Sequence, residues 1–136
     1  MRLPQPNPRS NRRLKLHPEN RTGINFITAS DGPTIQVNED RHAAPLIVMA
    51  HQLVSSWPPQ HFDELAAEHF TMLSELGVEI ILLGTGAKQR FPHPRLTRTL
   101  MEQRIGIEVM DTGAACRTYN ILVSEGRSVA AALLPA

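Results

Sequence analysis

The stretch Gly-Ile-Glu-Val-Met-Asp-Thr-Gly-Ala-Ala-Cys-Arg-Thr-Tyr-Asn, residues 106–120, joins a short apolar run to a segment with helical spacing. The apolar run, Ile107–Met110, predicts a strand. It ends at Asp111, a residue type that commonly precedes the first turn of a helix. Three later residues lie four positions apart and share one face of that helix: Thr112, Cys116 and Asn120. We therefore expect a strand that leads directly into a helix over residues 111–123.

A second strand and helix of the same kind precede this stretch. Residues 78–83 form an aliphatic run with one glutamate, which is typical of a parallel strand covered on both faces. Helical spacing of apolar residues predicts helices on either side, over 60–76 and 95–104. Two consecutive strand-to-helix units indicate right-handed parallel crossovers, with Ile107–Met110 as a second central strand.

The N-terminal half predicts strands that are not separated by helices. Residues 23–30 alternate, residues 31–33 (Asp-Gly-Pro) form a turn signal, and Ile35 and Val37 continue the alternation, so we expect a β-hairpin. The polar segment 38–44 is expected to be another turn. Residues 45–50 are expected to form a strand. In the longer alternative it extends, bent or bulged, to residue 57, where the two prolines that follow end it.

The whole pattern predicts an α/β fold in three layers, with a mixed central β-sheet flanked by helices. A last strand is expected over residues 127–134, which gives the order β-β-β-α-β-α-β-α-β. Residues 21–136 would then form a single compact α/β domain. Residues 1–20 contain four prolines and are expected to form a flexible basic leader.

Composition and charge narrow the function classes. Of 136 residues, 41% are hydrophobic, and the single cysteine excludes an internal disulfide framework. Residues 1–18 hold five basic residues and no acid, so the net charge of +1 leaves −4 on residues 19–136. Basic charge confined to a leader is a weak basis for nucleic-acid binding, and we expect no DNA or RNA partner. The apolar runs are too short for a transmembrane segment.

A candidate site lies where the two parallel strands end. Ligands of open α/β sheets tend to bind at this edge, and the loops after both strands reach it. Free amides in the two-glycine loop at residues 84–86 could hold an anion, although no phosphate-binding motif is present. We select eight candidate binding residues and no catalytic residue: Gly84, Thr85, Gly86, Asp111, Thr112, Cys116, Arg117 and Asn120.

Each candidate also has a structural interpretation. Asp111 can cap its helix, and Cys116 can be a small packed residue rather than a nucleophile served by a base such as His93. Arg117 can pair with Asp111 or Glu108 as a brace, or bind an anionic ligand or partner.

Tyr119, Asn120 and the histidines also have structural interpretations. Tyr119 and Asn120 are expected to fix the loop after Leu83 through bonds to its backbone. The six histidines show no metal-binding spacing, so we expect no metal and no cofactor.

Several segments resemble a domain-of-unknown-function family that includes the mitochondrial complex I assembly factor 3 proteins. The segments are Gly84-Thr85-Gly86, Phe91-Pro92, Glu108–Thr112, Ala115–Leu122 and Glu125–Leu133. The resemblance implies a mixed sheet of five or six strands flanked by helices. It also implies no established enzymatic activity. Its mitochondrial members act as non-catalytic assembly factors that bind another assembly factor and an early complex I module.

We therefore expect a non-enzymatic binding or assembly module, with an assembly factor or a respiratory complex subunit as its protein partner by resemblance. The alternative is a small-molecule or anion-binding protein, or an enzyme, that uses a cleft between the Gly84–Gly86 and Asp111–Arg117 loops. The expected location is the bacterial cytoplasm. The arginine-rich leader leaves the mitochondrial matrix as the alternative, and a homo-oligomer stays open.

Overall fold

The computed structural model describes residues 15–16, for which only the backbone is considered, and residues 23–136. The strands are β1 (Lys15–Leu16), β2 (Ile27–Asp31), β3 (Thr34–Val37), β4 (Asp40–Ala43), β5 (Leu46–Met49), β6 (Leu53–Ser55), β7 (Ile80–Gly84), β8 (Gly106–Met110) and β9 (Val129–Leu133). The α-helices are α1 (Ala67–Ser74), α2 (Pro94–Glu102) and α3 (Thr112–Ser124), and a 3-10 turn at Phe62–Glu64 precedes α1.

The larger sheet has the strand order β1-β6-β5-β9-β7-β8. β7 pairs in parallel with both β8 and β9, whereas β5 pairs antiparallel with β9 and β6, so the sheet is mixed. β9 lies inside this sheet, and all five of its residues, Val-Ala-Ala-Ala-Leu, are buried. Its three alanines have short side chains, which lets the elements above and below pack close to the sheet.

Each face of the larger sheet has its own hydrophobic core. On one face, Ile81, Leu83 and Ala132 pack with Phe70 and Leu100, which come from α1 and α2. On the other face, Leu82, Ala131 and Leu133 pack with residues of α3, β2 and β3. The predicted α/β fold in three layers, with a mixed central sheet between helices, is confirmed.

A second, three-stranded sheet completes the layer that contains α3. Its order is β2-β3-β4, and both pairings are antiparallel. The predicted hairpin of β2 and β3 is confirmed, with Gly32 at φ +62° in its turn. The prediction that residues 38–44 form only a turn is wrong, because β4 pairs with β3. The side chains of β4 are mostly exposed, so the strand has no apolar alternation that could reveal it.

Three other predicted elements differ from the structure. The predicted strand over 45–50 is present as β5, but its extension to residue 57 is a separate strand, β6, joined to β5 by a tight hairpin without the usual glycine or asparagine. β8 is an edge strand rather than a second central strand, since only β7 pairs with it. The predicted helix over 60–76 is reduced to the 3-10 turn and α1, because Leu65 and Ala66 are extended.

The predicted division into a leader and one domain stays a prediction. The leader, residues 1–20, lies outside the described residues apart from Lys15–Leu16. The backbone of these two residues forms β1, in which Lys15 is opposite Ser55 and Leu16 is opposite Val54.

His69 is a buried polar residue at the start of α1. Its Nδ1 accepts a hydrogen bond from the Ala66 amide at 3.0 Å, which caps the helix. Its ring meets the buried Trp57 ring edge to face, with centroids 6.3 Å apart. Burial lowers the pKa of His69 below its ordinary value of 6.5, and the nearby Glu68 and Glu64 carboxylates oppose this only in part. The neutral ring is therefore the form that the fold requires.

Acidification should destabilise the protein through His69. Since the folded state lowers the pKa, the unfolded chain binds the proton first. The contribution of His69 is therefore complete above about pH 6.5 and is lost as the pH falls through the lowered folded value. Urea unfolding at pH 7.5 and 5.5 should show a larger loss of stability for the natural chain than for His69→Asn, which keeps an acceptor for the Ala66 amide without a titrating ring. Equal losses in the two proteins would contradict this role.

Candidate functional site

The two loops proposed from the sequence lie side by side. β7 and β8 pair directly, with Gly84 opposite Met110, so both strands end at the same edge. The structure therefore brings Gly84, Thr85 and Gly86 together with Asp111 and Thr112. Their polar groups, however, point at one another rather than into open space.

Thr112 is the centre of this arrangement. Its hydroxyl oxygen accepts a hydrogen bond from the Gly86 amide at 2.8 Å and donates one to the Leu134 carbonyl at 2.7 Å. The Thr112 amide also donates to the Gly86 carbonyl at 2.9 Å. Thr112 is fully buried, so these bonds join the β7 exit, the start of α3 and the end of β9 in the interior.

Both glycines of the 84–86 loop have a packing reason to be glycine. A Cβ on Gly84 would lie 3.0 Å from the Thr112 Cα and 3.1 Å from its hydroxyl, so a side chain there would force Thr112 to shift. Gly86 has φ +101°, and a Cβ there would lie 3.0 Å from the Pro135 carbonyl. These glycines allow a close approach of backbone to backbone.

Thr85 is committed to the same internal network. Its amide donates to the Met110 carbonyl at 2.9 Å, and its hydroxyl donates to the Lys88 carbonyl at 2.6 Å. The Arg90 amide in turn donates to the Thr85 hydroxyl at 3.2 Å. Because the Thr85 and Gly86 amides both have acceptors inside the protein, they do not form an open cradle for an anion.

Asp111 has the capping role that its position suggests. Its Oδ1 accepts a hydrogen bond from the Ala114 amide at 2.9 Å, in the first turn of α3. The alternative base for Cys116, His93, has a similar role at α2, where its Nδ1 accepts from the Arg95 amide at 3.1 Å. Both side chains satisfy amides at helix starts, which have no partner within the helix.

Tyr119 and Asn120 hold the smaller sheet against α3. The Tyr119 hydroxyl donates to the Asn25 carbonyl at 2.8 Å. The Asn120 side chain accepts from the Ile27 amide at 2.9 Å and donates to the Ile27 carbonyl at 2.7 Å, as a neighbouring strand would. The expectation that these residues fix the loop after Leu83 is therefore wrong, because their partners lie in and before β2.

Cys116 lies inside the protein and has the properties of a packed residue. It is 4% exposed, and it contributes to the core between α3 and the larger sheet. Burial raises the pKa of its thiol to about 11, although Ser30 and Arg117 lower it slightly. Since the thiolate is the reactive form, this environment suppresses nucleophilic chemistry at Cys116.

Arg117 is the exposed member of the predicted set. Within the described part of the chain, its guanidinium has no ion pair, so the expected brace to Asp111 or Glu108 does not form. Its Nη1 lies over Gly113, where a Cβ would be 3.4 Å away. Of the eight selected residues, Cys116, Arg117 and Asn120 lie further along α3, away from the loop junction. Ligand binding by the eight residues stays a prediction.

The structure also draws attention to a surface that the sequence analysis did not select. An open groove of about 450 Å³ runs along the outer side of α2. Its lining residues are His93, Pro94, Arg95, Arg98, Met101 and Glu102. The available signal was the density of basic residues between positions 88 and 104, which was hidden by the acidic balance of the domain as a whole.

No helix among the described residues is both long enough and apolar enough to cross a membrane. No group of three or more histidine, cysteine, aspartate or glutamate side chains in residues 23–136 is placed to hold a metal ion.

Comparison with known proteins gives relatives that match most of this chain. A family model described as a protein of unknown function (DUF498/DUF598) matches residues 27–134. The bovine NADH dehydrogenase [ubiquinone] 1 alpha subcomplex assembly factor 3 is 33% identical over 112 residues, which are 81% of this chain and 60% of that protein. The mouse protein of the same name is 36% identical over 90 residues, 65% of this chain and 49% of that one. The chain thus spans about half to three-fifths of these relatives.

Solved structures support the fold. A crystal structure of a Bordetella parapertussis protein matches with a TM-score of 0.79 and 38% identity, covering 86% of this chain and all of that one. A solution structure of a Bordetella pertussis protein, described as a Mth938-like domain, matches with a TM-score of 0.73 and 34% identity. The latter covers 89% of this chain and 92% of that one.

The Thr112 hydroxyl should be worth more than its methyl group. Thr112→Val removes the hydroxyl and leaves the Gly86 amide and the Leu134 carbonyl buried without partners, which should cost about 2–4 kcal/mol of unfolding free energy. Thr112→Ser is the matched control, since it keeps both bonds and loses one methyl, at a cost of about 1 kcal/mol. Urea unfolding measures both values. A serine variant as unstable as the valine variant would contradict the importance of the hydroxyl.

Proposed function

The chain belongs to the family described as protein of unknown function (DUF498/DUF598), and from this premise we propose that it is a non-enzymatic binding or assembly module. One structural observation carries the proposal. The polar groups of the most distinctive stretch, residues 111–120, are mostly used to hold the protein together. The one cysteine is buried with a raised pKa. Because these groups are bonded within the fold, the protein is better suited to binding a partner through its surface than to catalysis.

The names of the relatives supply the class of partner. Those relatives are assembly factors of the NADH dehydrogenase alpha subcomplex. The proposed partner is therefore another assembly factor or a subunit of the respiratory NADH dehydrogenase. The chain spans only part of each assembly factor, so membership of the family does not by itself establish this partner. The bacterial cytoplasm is the proposed location, with the mitochondrial matrix as its alternative.

The alternative function is a small-molecule or anion site, or an enzyme, in the cleft between the 84–86 and 111–117 loops. The exposed Arg117, which has no ion pair among the described residues, is the observation that favours it. Against it, the Gly84–Gly86 backbone is buried, and the amides of Thr85 and Gly86 have acceptors in the protein. Arg117 would then have to bind a ligand without help from the neighbouring loop, so the binding module is preferred.

Affinity purification from the organism that encodes the chain tests the proposed function. A tagged chain expressed at its natural level should recover the same assembly factor or NADH dehydrogenase subunits in every repeat, above the background of an untagged strain. Deletion of the gene should reduce the amount of assembled NADH dehydrogenase in membranes, measured by native gel electrophoresis. Recovery of nothing above background, together with normal amounts of the complex in the deletion strain, would refute the proposal.

A further inference from the structure

The segment between residues 88 and 104 differs in charge from the rest of the domain. It holds five basic residues and one acidic residue, a net charge of +4, whereas residues 19–136 carry −4 in total. The basic residues are Lys88, Arg90, Arg95, Arg98 and Arg104. The remainder of the domain is therefore distinctly acidic, and the positive charge is concentrated on α2 and the loop before it.

Two of these arginines line the groove and are free to bind. Arg95 and Arg98 are exposed, and within the described residues neither guanidinium has an ion pair or a hydrogen bond. Arg90 is different, because it pairs with Asp63 at 2.9 Å and lies 4.1 Å over the Phe62 ring. The groove thus carries two unpaired arginines against one carboxylate, that of Glu102, while Arg90 is used to hold the loop.

Large apolar side chains are exposed next to this charge. Met101 lines the groove and is 65% exposed, because it lies on the outer side of α2. The buried face of this helix is formed by Thr97 and Leu100. Phe91, two residues before the groove, is 73% exposed. Aromatic residues, methionine and arginine are the side chains that are enriched in protein interfaces.

The loop that carries Phe91 is fixed in place. Arg90 holds it to the 3-10 turn through Asp63 and Phe62, and the Gln89 side chain donates to the Val109 carbonyl on the free edge of β8 at 2.9 Å. The Thr85 hydroxyl anchors the start of the same loop. A surface that is ordered before binding loses less conformational entropy when a partner arrives.

We propose that the groove of α2, together with the exposed Phe91 two residues before it in the sequence, docks an acidic segment of a partner protein, whose carboxylates pair with Arg95 and Arg98 and whose apolar side chains cover Met101 and Phe91. This proposal rests on the binding function proposed above and assigns that function to one surface. The groove follows a nine-residue helix, which is about 13 Å long, so it fits one extended or helical segment rather than a broad globular face.

Charge argues against the other occupants. Residues 1–18 of this chain carry five basic residues and no acid, so they would be repelled by Arg95 and Arg98. A nucleic acid would need more phosphate contacts than the two unpaired arginines of the groove provide. A second copy of this chain could offer acidic residues, and the experiment separates that occupant from a different protein.

The test uses the full chain in the cells that encode it. Arg95→Glu/Arg98→Glu reverses the groove charge, and Arg41→Glu/Arg127→Glu is the charge-matched control, since both arginines are exposed and are without an ion pair among the described residues. Charge reversal in the groove should lower recovery of the co-purified partner about tenfold or more, whereas the control should leave it unchanged. Both variants should keep the natural thermal unfolding midpoint, because these side chains are on the surface.

Crosslinking identifies what occupies the groove. The variant Glu102→p-benzoylphenylalanine places a photocrosslinker on the groove, and Ile121→p-benzoylphenylalanine places one on α3 as the control position, where Ile121 is 58% exposed. Irradiation should join position 102, and not position 121, to a partner segment with more acidic than basic residues and at least one large apolar residue. The arginine double variant should lose this crosslink.

The outcomes separate this proposal from the proposed function. If a partner co-purifies but remains bound after charge reversal, or crosslinks equally at both positions, the groove is not the docking site and the binding function stands. Crosslinks at position 102 to a second copy of the chain or to nucleic acid also overturn the acidic-segment proposal. If no partner co-purifies with the natural chain, the binding function itself fails.

Discussion

The two hydrogen bonds of the Thr112 hydroxyl hold together parts of the chain that are far apart in sequence. They fix the end of β7 and the end of β9 to the first turn of α3, and they form only because Gly84 lets the Thr112 backbone approach closely. The same helix then holds the smaller sheet through Tyr119 and Asn120. Both sheets are therefore positioned from α3. With both bonds formed, the buried hydroxyl stabilises the fold, whereas its removal leaves two buried backbone groups without hydrogen-bond partners.

This arrangement separates the stretch that identifies the family from the surface proposed to act. Residues 111–120 contain a carboxylate, a thiol, a phenol and an amide in close succession, which resembles the composition of an active site. In the folded protein, Asp111 caps α3 and Cys116 is buried. Tyr119 and Asn120 bond to backbone groups in and before β2. The exposed features lie elsewhere, on α2 and the loop before it. Distinctive sequence and accessible surface thus occupy different faces of the same domain.

The order of the main elements could be predicted because each has a strong local signal. The aliphatic run of β7, the Asp111 cap and the turn between β2 and β3 all have patterns that depend on few neighbours. β4 could not be predicted, since its side chains are mostly exposed and only its backbone pairing defines it. The edge position of β8 depends on β9 pairing with the other side of β7, and this pairing joins residues that are far apart in the sequence. The internal partners of Thr112 and Asn120 were equally hidden, because hydrogen bonds across 22 to 93 residues leave no local pattern.

The side chains of residues 111–120 serve the fold rather than a reaction, and the reactivity of Cys116 tests this most directly. Cys116 is the only cysteine, so a thiol reagent such as 5,5′-dithiobis(2-nitrobenzoic acid) reports on it alone. With a pKa of about 11 in the fold against 9.0 for an ordinary thiol, the thiolate fraction at pH 8 should be about 100-fold smaller in the native protein. Labelling should be slower by at least this factor in buffer than in 6 M urea (about the concentration that unfolds small domains). Labelling of the native protein as fast as that of the unfolded chain would contradict this structural role and show that Cys116 is reactive.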